Sequence, residues 1–392
     1  MKNYNRNSII ILITSAFISN SCTETYPLLT NTYEEAIVVE ATITNELKNQ
    51  EIKLTKTARF EDESYIPESG AEVFITDNSG KRYDFEDQSD RYVSKTEFQA
   101  VPEVKYQLHI NTKDGRSFES SIETLSAVNP MQSVKAAVET KENQRGVSIR
   151  INSFDQNNKS KYYRYEYEET YKIITPKWVN TKAVISQNGA LTFVPNSTDT
   201  KVCYGSKKST NLILVSTNNL NEDRVNYMIR FISNQDYIIT TRYSILVKQY
   251  VENLAAYNYY STLKKMSGNE SILSPTQPGI LLGNLKSTKN PNNKIVGYFD
   301  VASVSVERIY FNYADLFLGE APPPYYTDCQ EFCYADYPFN PDPCTHAGHF
   351  MDDLSLNKIS YYLFGRFYFW VNIPCGDCTT IASNIKPTFW TD

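Results

Sequence analysis

From Glu35 onward the chain is written in short runs of alternating apolar and polar residues, separated by turn signals, and this spacing limits its folds more than any other feature. AIVVEATI (36–43), QEIKLTKTA (50–58), AEVFITD (71–77), KRYDFED (81–87), DRYVSK, VKYQLHIN and RSFESSIETL follow one another at similar intervals. Asn78-Ser79-Gly80 and Asp114-Gly115 are turn sequences. A period of two sends successive side chains to opposite faces of a strand, so each run suits a half-buried strand and not a helix. Roughly seven short strands at such spacing predict an Ig-like or transthyretin-like β-sandwich over residues 34–128. The 30 tyrosines, with Thr, Val and Ile, favour pleated surfaces in the same direction.

The alternation breaks at Pro130 and resumes beyond it, which places a domain boundary there and a second, larger antiparallel β domain over 131–392. In KYYRYEYEETYKI (161–173), Tyr163, Tyr165 and Tyr167 fall on one strand face, with Tyr162, Arg164, Glu166 and Glu168 on the other. A tyrosine stripe is either a stacking surface for a glycan or peptide, or cross-strand packing with hydroxyls at the rim. One short helix is expected at about 253–266, with Asn253 as its N-cap and Ala256, Tyr260, Leu263 and Met266 at helical spacing. After Leu318 the text turns irregular and proline-rich. Residues 319–392 are expected to form a Cys-rich clasp, a long loop region that covalent bridges must hold.

The first residues bear on location. Lys2 and Arg6 precede an apolar run from Ile9 to Ile18, and small or polar residues then lead to Cys22. That is the order of a signal peptide (1–21), and its apolar run is short of a bilayer span. A Cys at this place suits lipidation, so Cys22 is the expected lipid anchor and residues 22–33 a tether. An exported chain meets an oxidising compartment. Of the 7 cysteines, Cys203, Cys329, Cys333, Cys344, Cys375 and Cys378 then remain, an even set that suits disulfides of undetermined pairing.

Alternative chemistry has few footholds. Cys344, His346 and His349 are residue types that bind zinc, and zinc is the alternative to disulfides there. A redox role for Cys375-Gly-Asp-Cys378 needs a helix N-terminus that lowers the thiol pKa, and Pro374 and Thr-Thr-Ile do not read as one. His109 alternates with Tyr106 and Leu108 on a strand, as a packed or surface histidine does. Hydrolase and nucleotide motifs such as G-x-S-x-G, H-E-x-x-H and G-x-x-x-x-G-K are missing. A net charge of −6 argues against a nucleic-acid surface. The expectation is a non-enzymatic protein with no cofactor besides the lipid on Cys22.

Two resemblances extend this reading. The stretch ESGAEVFITDNSGKRYDFEDQSDRYVSKTEFQAVPEVKYQLHINTKDG resembles carboxypeptidase-regulatory-like and transthyretin-like sandwiches of secreted proteins. VVEATIT, VCYGSKKSTNLILVST, TRYSILVKQYVENLAAYNYYSTLKK, PTQPGILLGNLKS, KIVGYFDVASVSVERIYF and CGDCTTIASNIKPTFW, in that order, resemble the Bacteroidota outer-membrane lipoproteins classed as "domain of unknown function 4249", over nearly the whole mature chain. This second resemblance implies a lipid-anchored protein of the outer membrane, displayed at the cell surface. It implies an accessory or binding subunit of a TonB-dependent receptor or another outer-membrane β-barrel. The alternatives are a surface glycan- or peptide-binding protein and, third, a hydrolase with a spatially assembled site. Cys375 and Cys378 are expected to end disulfides reaching toward Cys203, Cys329, Cys333 or Cys344, or to bridge each other, with Pro387, Phe389 and Trp390 packing the tail.

Overall fold

The computed structural model describes residues 35–57, 66–196, 199–267, 281–336, 344, 346, 348–365 and 367–392. Strands dominate, as the alternation predicts, and everything is arranged about one of them, the long strand Ile295–Asn312. Its first part, 295–302, pairs in parallel with Ile37–Thr44. Its second part, 303–312, pairs antiparallel with Arg242–Glu252. One strand therefore belongs to two sheets, which it joins into a continuous hydrogen-bonded path.

The period of two on this strand explains what each face meets. Phe299 and Val301 enter the core of the first unit, and Ile309 and Phe311 enter that of the second. Tyr298, Asp300, Ala302, Val304, Arg308 and Tyr310 have the opposite parity and stand on the outer face. Residues 297–304 are buried throughout, because this outer face is covered as well. Gly297 sits at φ +118°, where a Cβ would lie 2.1 Å from the carbonyl oxygen of Val39, so the parallel pairing requires glycine.

In the first unit the sheet continues from Ile37–Thr44 through Glu51–Lys56, Tyr92–Ser94, Arg82–Asp87, Glu72–Asp77, Lys105–Asn111 and Ser117–Ser120 to Leu285–Ser287. It then returns to its start. The Asn284 side chain donates to the Phe299 carbonyl and accepts from the Phe299 N–H, both at 2.8 Å. Ile37, Val39, Leu54, Ile75, Leu108 and Phe118 fill the interior.

The second unit has two facing layers. Val202–Lys208, Tyr162–Ile174, Arg242–Glu252 and the long strand form one. Met131–Lys141, Gln144–Phe154 and Arg224–Ser233 form the other. Val147, Ile149, Ile151, Tyr163, Tyr165, Ile245, Val247 and Phe311 pack between them.

One expectation is corrected. A change at residues 129–130 is present, since a new strand starts at Met131. The units are nevertheless not sequential, because the 34–128 segment obtains Leu285, Ile295, Phe299 and Val301 of its core from the far side of the chain. Within 131–392 the named strands pair antiparallel, as expected, and the parallel pair joins 295–302 to Ile37–Thr44. The expected helix is Leu254–Ser267, and single-turn helices at Tyr313–Leu316, Phe350–Ser355 and Ile373–Gly376 join it. No helix among the described residues is long and apolar enough to cross a membrane.

A fragment of residues 34–128 lacks the strand that lies along Ile37–Thr44. It is expected to remain unfolded, with collapsed amide dispersion in its NMR spectrum, and a well-dispersed spectrum would contradict the shared-strand architecture.

Candidate functional site

The helix Leu254–Ser267 lies over the outer face at the start of the long strand. Its first turn is capped by Asn253, whose Oδ1 accepts from the Ala256 N–H at 2.8 Å, and Ala256 is fully buried. Further along, Tyr259, Tyr260 and Leu263 face Glu40, Thr42 and Tyr298 across a cleft of about 620 Å³, with Lys53 and Arg91 at its polar wall. The Tyr259 ring lies 5.5 Å from Tyr260 and 5.2 Å from Tyr298, so the three form one aromatic surface. Clefts of this size and mixture of aromatic and polar walls are the usual form of ligand sites.

The base of the cleft is built from charges. Arg164, 6% exposed, donates from Nε to Glu252 Oε1 at 2.7 Å and from Nη1 to Glu166. Its guanidinium lies over the Tyr250 ring at 4.1 Å and the Tyr260 ring at 4.8 Å. Burial works against this charge, but Glu252 and Glu166 outweigh it and raise the guanidinium pKa well above its ordinary value. Glu252 and Asp300 are 3% and 1% exposed. Glu252 Oε2 and both carboxyl oxygens of Asp300 accept no hydrogen bond. Burial, and next the charge of Glu252, push the Asp300 carboxyl pKa well above the usual carboxylate range. Neither acid lines the cleft.

In the sequence Arg164 and Glu166 lie on the polar face of their strand, where nothing marks them out from Tyr162 and Glu168. Asp300 was also missed. Its signal is a lone carboxylate inside the apolar run VGYFDVASV, where an unpaired charge is costly.

The tyrosine stripe is corrected as a binding surface. Tyr163 and Tyr165 are wholly buried between the two layers of the second unit, and half-buried Tyr167 packs against the same core. Their hydroxyls are occupied. Tyr163 donates to Asp223 at 2.8 Å and accepts from Asn129 at 2.9 Å, while Tyr165 donates to Gln249 at 2.9 Å. Cross-strand packing is the role they serve, because their face of the strand is the inner one.

All six cysteines are paired: Cys203 with Cys378, Cys329 with Cys375, and Cys333 with Cys344. The C-x-x-C is therefore neither a redox couple nor a bridge to itself. Cys375 sits in the turn Ile373–Gly376 and holds the 319–336 segment, while Cys378 in the next turn holds the central sheet at Cys203. The zinc alternative fails with this pairing, since the Cys344 sulfur is bonded to Cys333 and offers no thiolate. The histidines also point to different partners: His346 stacks on Phe332 at 4.3 Å, and His349 lies 3.9 Å from Asp336. Among the described residues no group of three or more His, Cys, Asp or Glu is gathered as for a metal ion. His109 stacks on Phe74 at 4.8 Å, as a packed strand histidine.

The tail runs over the other end of the outer face. Trp390 packs edge-on against Tyr204 at 5.1 Å and Tyr310 at 6.0 Å, and Arg308 covers the Phe389 ring at 3.6 Å. Arg242 Nε donates to the Thr391 carbonyl at 2.6 Å. Cys22 lies outside the described residues.

The fold and its bridges define a mostly β protein stapled at its C-terminal end by disulfides. It belongs to the family described as "Domain of unknown function (DUF4249)", whose model matches residues 23–308. The match stops short of the near-complete coverage expected, and the Cys-rich clasp lies outside it. No curated protein matches the chain. A solved structure titled "Biofilm associated protein - B domain" is similar at 9% identity, over 73% of this chain and 88% of that one, with a TM-score of 0.15, too low to inform fold or function.

Two outcomes follow from this geometry. Arg164→Met removes the cationic partner of the buried Glu252 carboxylate and is expected to cost about 3–5 kcal/mol of stability in urea unfolding. The Cys203–Cys378 bridge spans 175 residues and Cys333–Cys344 spans 11, so the first should contribute more by loop closure. Serine at both positions of each pair is expected to cost about 5 and about 3 kcal/mol respectively, measured under non-reducing conditions.

Proposed function

We propose that this protein is a lipid-anchored outer-membrane lipoprotein, facing the cell surface, that serves as a non-enzymatic accessory or binding subunit of a TonB-dependent receptor or another outer-membrane β-barrel. The observation that carries the reading is the oxidised clasp. Three bridges hold the 319–392 segment to the sheet, and such bridges persist in extracytoplasmic compartments. Membership of the family and the signal-like residues before Cys22 support the same location. Charged groups around the cleft are engaged in internal pairs: Arg164 with Glu252 and Glu166, Lys53 with Glu40, and Arg91 with Glu51 and Asp90. Such a site suits recognition better than catalysis, and the Glu252 and Asp300 acids are buried and do not line the cleft. Fold alone does not assign chemistry, so the role rests on location and on these engaged groups.

A second reading is favoured by one observation. The surface of Tyr259, Tyr260 and Tyr298 is a stacking wall for a glycan or a peptide, in place of the Tyr163, Tyr165 and Tyr167 stripe.

The full-length chain is expected to sediment with membranes and to co-elute with a β-barrel after mild detergent extraction. Cys22→Ala should move it to the soluble fraction. Membrane retention of that variant, or a wild-type chain that always elutes alone, would count against the accessory role. Retention of the Cys22→Ala chain on a glycan or peptide array, lost on Tyr259→Ala, would favour the second reading.

A further inference from the structure

We propose that Asp300 keeps its proton and directs it to Glu252 beneath the helix Leu254–Ser267, and that losing it loosens this helix, so that pH sets the wall of the cleft. The inference concerns how the cleft is controlled and holds for either class of ligand.

Three carboxyl oxygens in this pair have no donor, namely Glu252 Oε2 and both oxygens of Asp300, in residues 3% and 1% exposed. Two ionised carboxylates cannot satisfy each other, since each is an acceptor only. A proton on Asp300 makes it a donor to Glu252 and removes the excess charge. Arg164 balances one carboxylate, and its Nε and Nη1 are already directed to Glu252 and Glu166. Like charges in an apolar setting force a proton onto one partner, as paired carboxylates do elsewhere.

The surrounding groups leave the proton as the available compensation. The strand Tyr162–Ile174 presents Arg164 and Glu166, and the strand Arg242–Glu252 presents Tyr250 and Glu252 itself. The helix presents Tyr259 and Tyr260, and the long strand presents Tyr298. Ile37–Thr44 presents Glu40 and Thr42, the latter in register with Asp300. The short strand Glu123–Thr124 adds Glu123, which accepts from Asn253 and Asn284 at 3.0 Å each. Lys53 and Arg91 stand at the rim, on Glu40, Glu51 and Asp90. Apart from Arg164, the groups closest to Asp300 are neutral or negative.

The sign of the dependence follows. A group that keeps its proton in the folded chain at a pH where an unfolded aspartate has lost it adds stability fully below about pH 4. That stability is lost as the pH rises through the folded value. Above it, a second negative charge stands beside Glu252 under the Tyr260 ring. The layer that can yield is the helix, held by the Asn253 cap, by Ala256, by Tyr257 against Tyr162 at 4.9 Å, and by its tyrosines on Tyr298. No disulfide ties it down.

Hydrogen exchange of the full mature chain carrying Cys22→Ala, corrected for intrinsic rates, tests this across a pH series that starts at about pH 5, above the ordinary aspartate value, and runs upward. Protection of amides in 254–267 is expected to fall with rising pH, by up to about tenfold per unit between the ordinary aspartate value near 4 and the raised folded value, and to level off above it. Asp300→Asn should keep the protection at higher pH. Wild-type protection that does not change, or Asp300→Asn that loses it as the wild type does, would overturn the proposal. The infrared spectrum supplies a readout that needs no variant. Above about pH 5, where an unfolded aspartate is ionised, the wild-type chain should retain a protonated-carboxyl band, and its absence would also overturn the proposal.

Discussion

The strand Ile295–Asn312 hydrogen-bonds to two partners that are far apart in sequence, and both β units are built on that arrangement. Backbone donors and acceptors that are buried must be paired, so a strand covered on both faces needs a neighbour along each part of its length. Its first residues find one in Ile37–Thr44 and its last in Arg242–Glu252. The first unit cannot bury its core until the chain has passed through nearly all of the second. Contacts of such separation carry a large loop-closure cost, which makes this a fold of high contact order.

The outer face of the same sheet explains the remainder of the molecule. It is covered at one end by the helix Leu254–Ser267 and at the other by the tail, leaving Val306 between them 41% exposed. The two covers are fastened differently. Bridges at Cys378 and Cys375 and the packing of Trp390 hold the tail region, whereas side-chain packing and a cap hold the helix. Local opening follows the weaker fastening. The clasp is thus fastened covalently, and the helix wall of the cleft is not.

Tyrosine has distinct roles on the two sides of one sheet. Tyr163 and Tyr165 bury both ring and hydroxyl, each hydroxyl answered by a polar partner in the core. On the outer face, Tyr250 and Tyr260 enclose the Arg164 guanidinium, and Tyr259 and Tyr298 look into the cleft. The residue type is suited to both, because its ring is apolar and its hydroxyl needs only one partner.

The alternation of AEVFITD and KRYDFED, the cap at Asn253 and the even cysteine count were legible in the sequence, because strand period, helix capping and disulfide chemistry act over a few residues or on composition. They determined a mostly β chain with one main helix and a bridged C-terminal region. The tertiary structure alone decided which face of KYYRYEYEETYKI points inward, and so turned the tyrosine stripe from a surface into a core. It also decided that Cys375 and Cys378 part company, and that the unit begun at Glu35 is completed by Phe299 and Val301. The Arg164, Glu252 and Asp300 cluster belongs to this second kind. Its members lie on three strands, and only the register of those strands brings their charges together, out of water, where each must be answered by another.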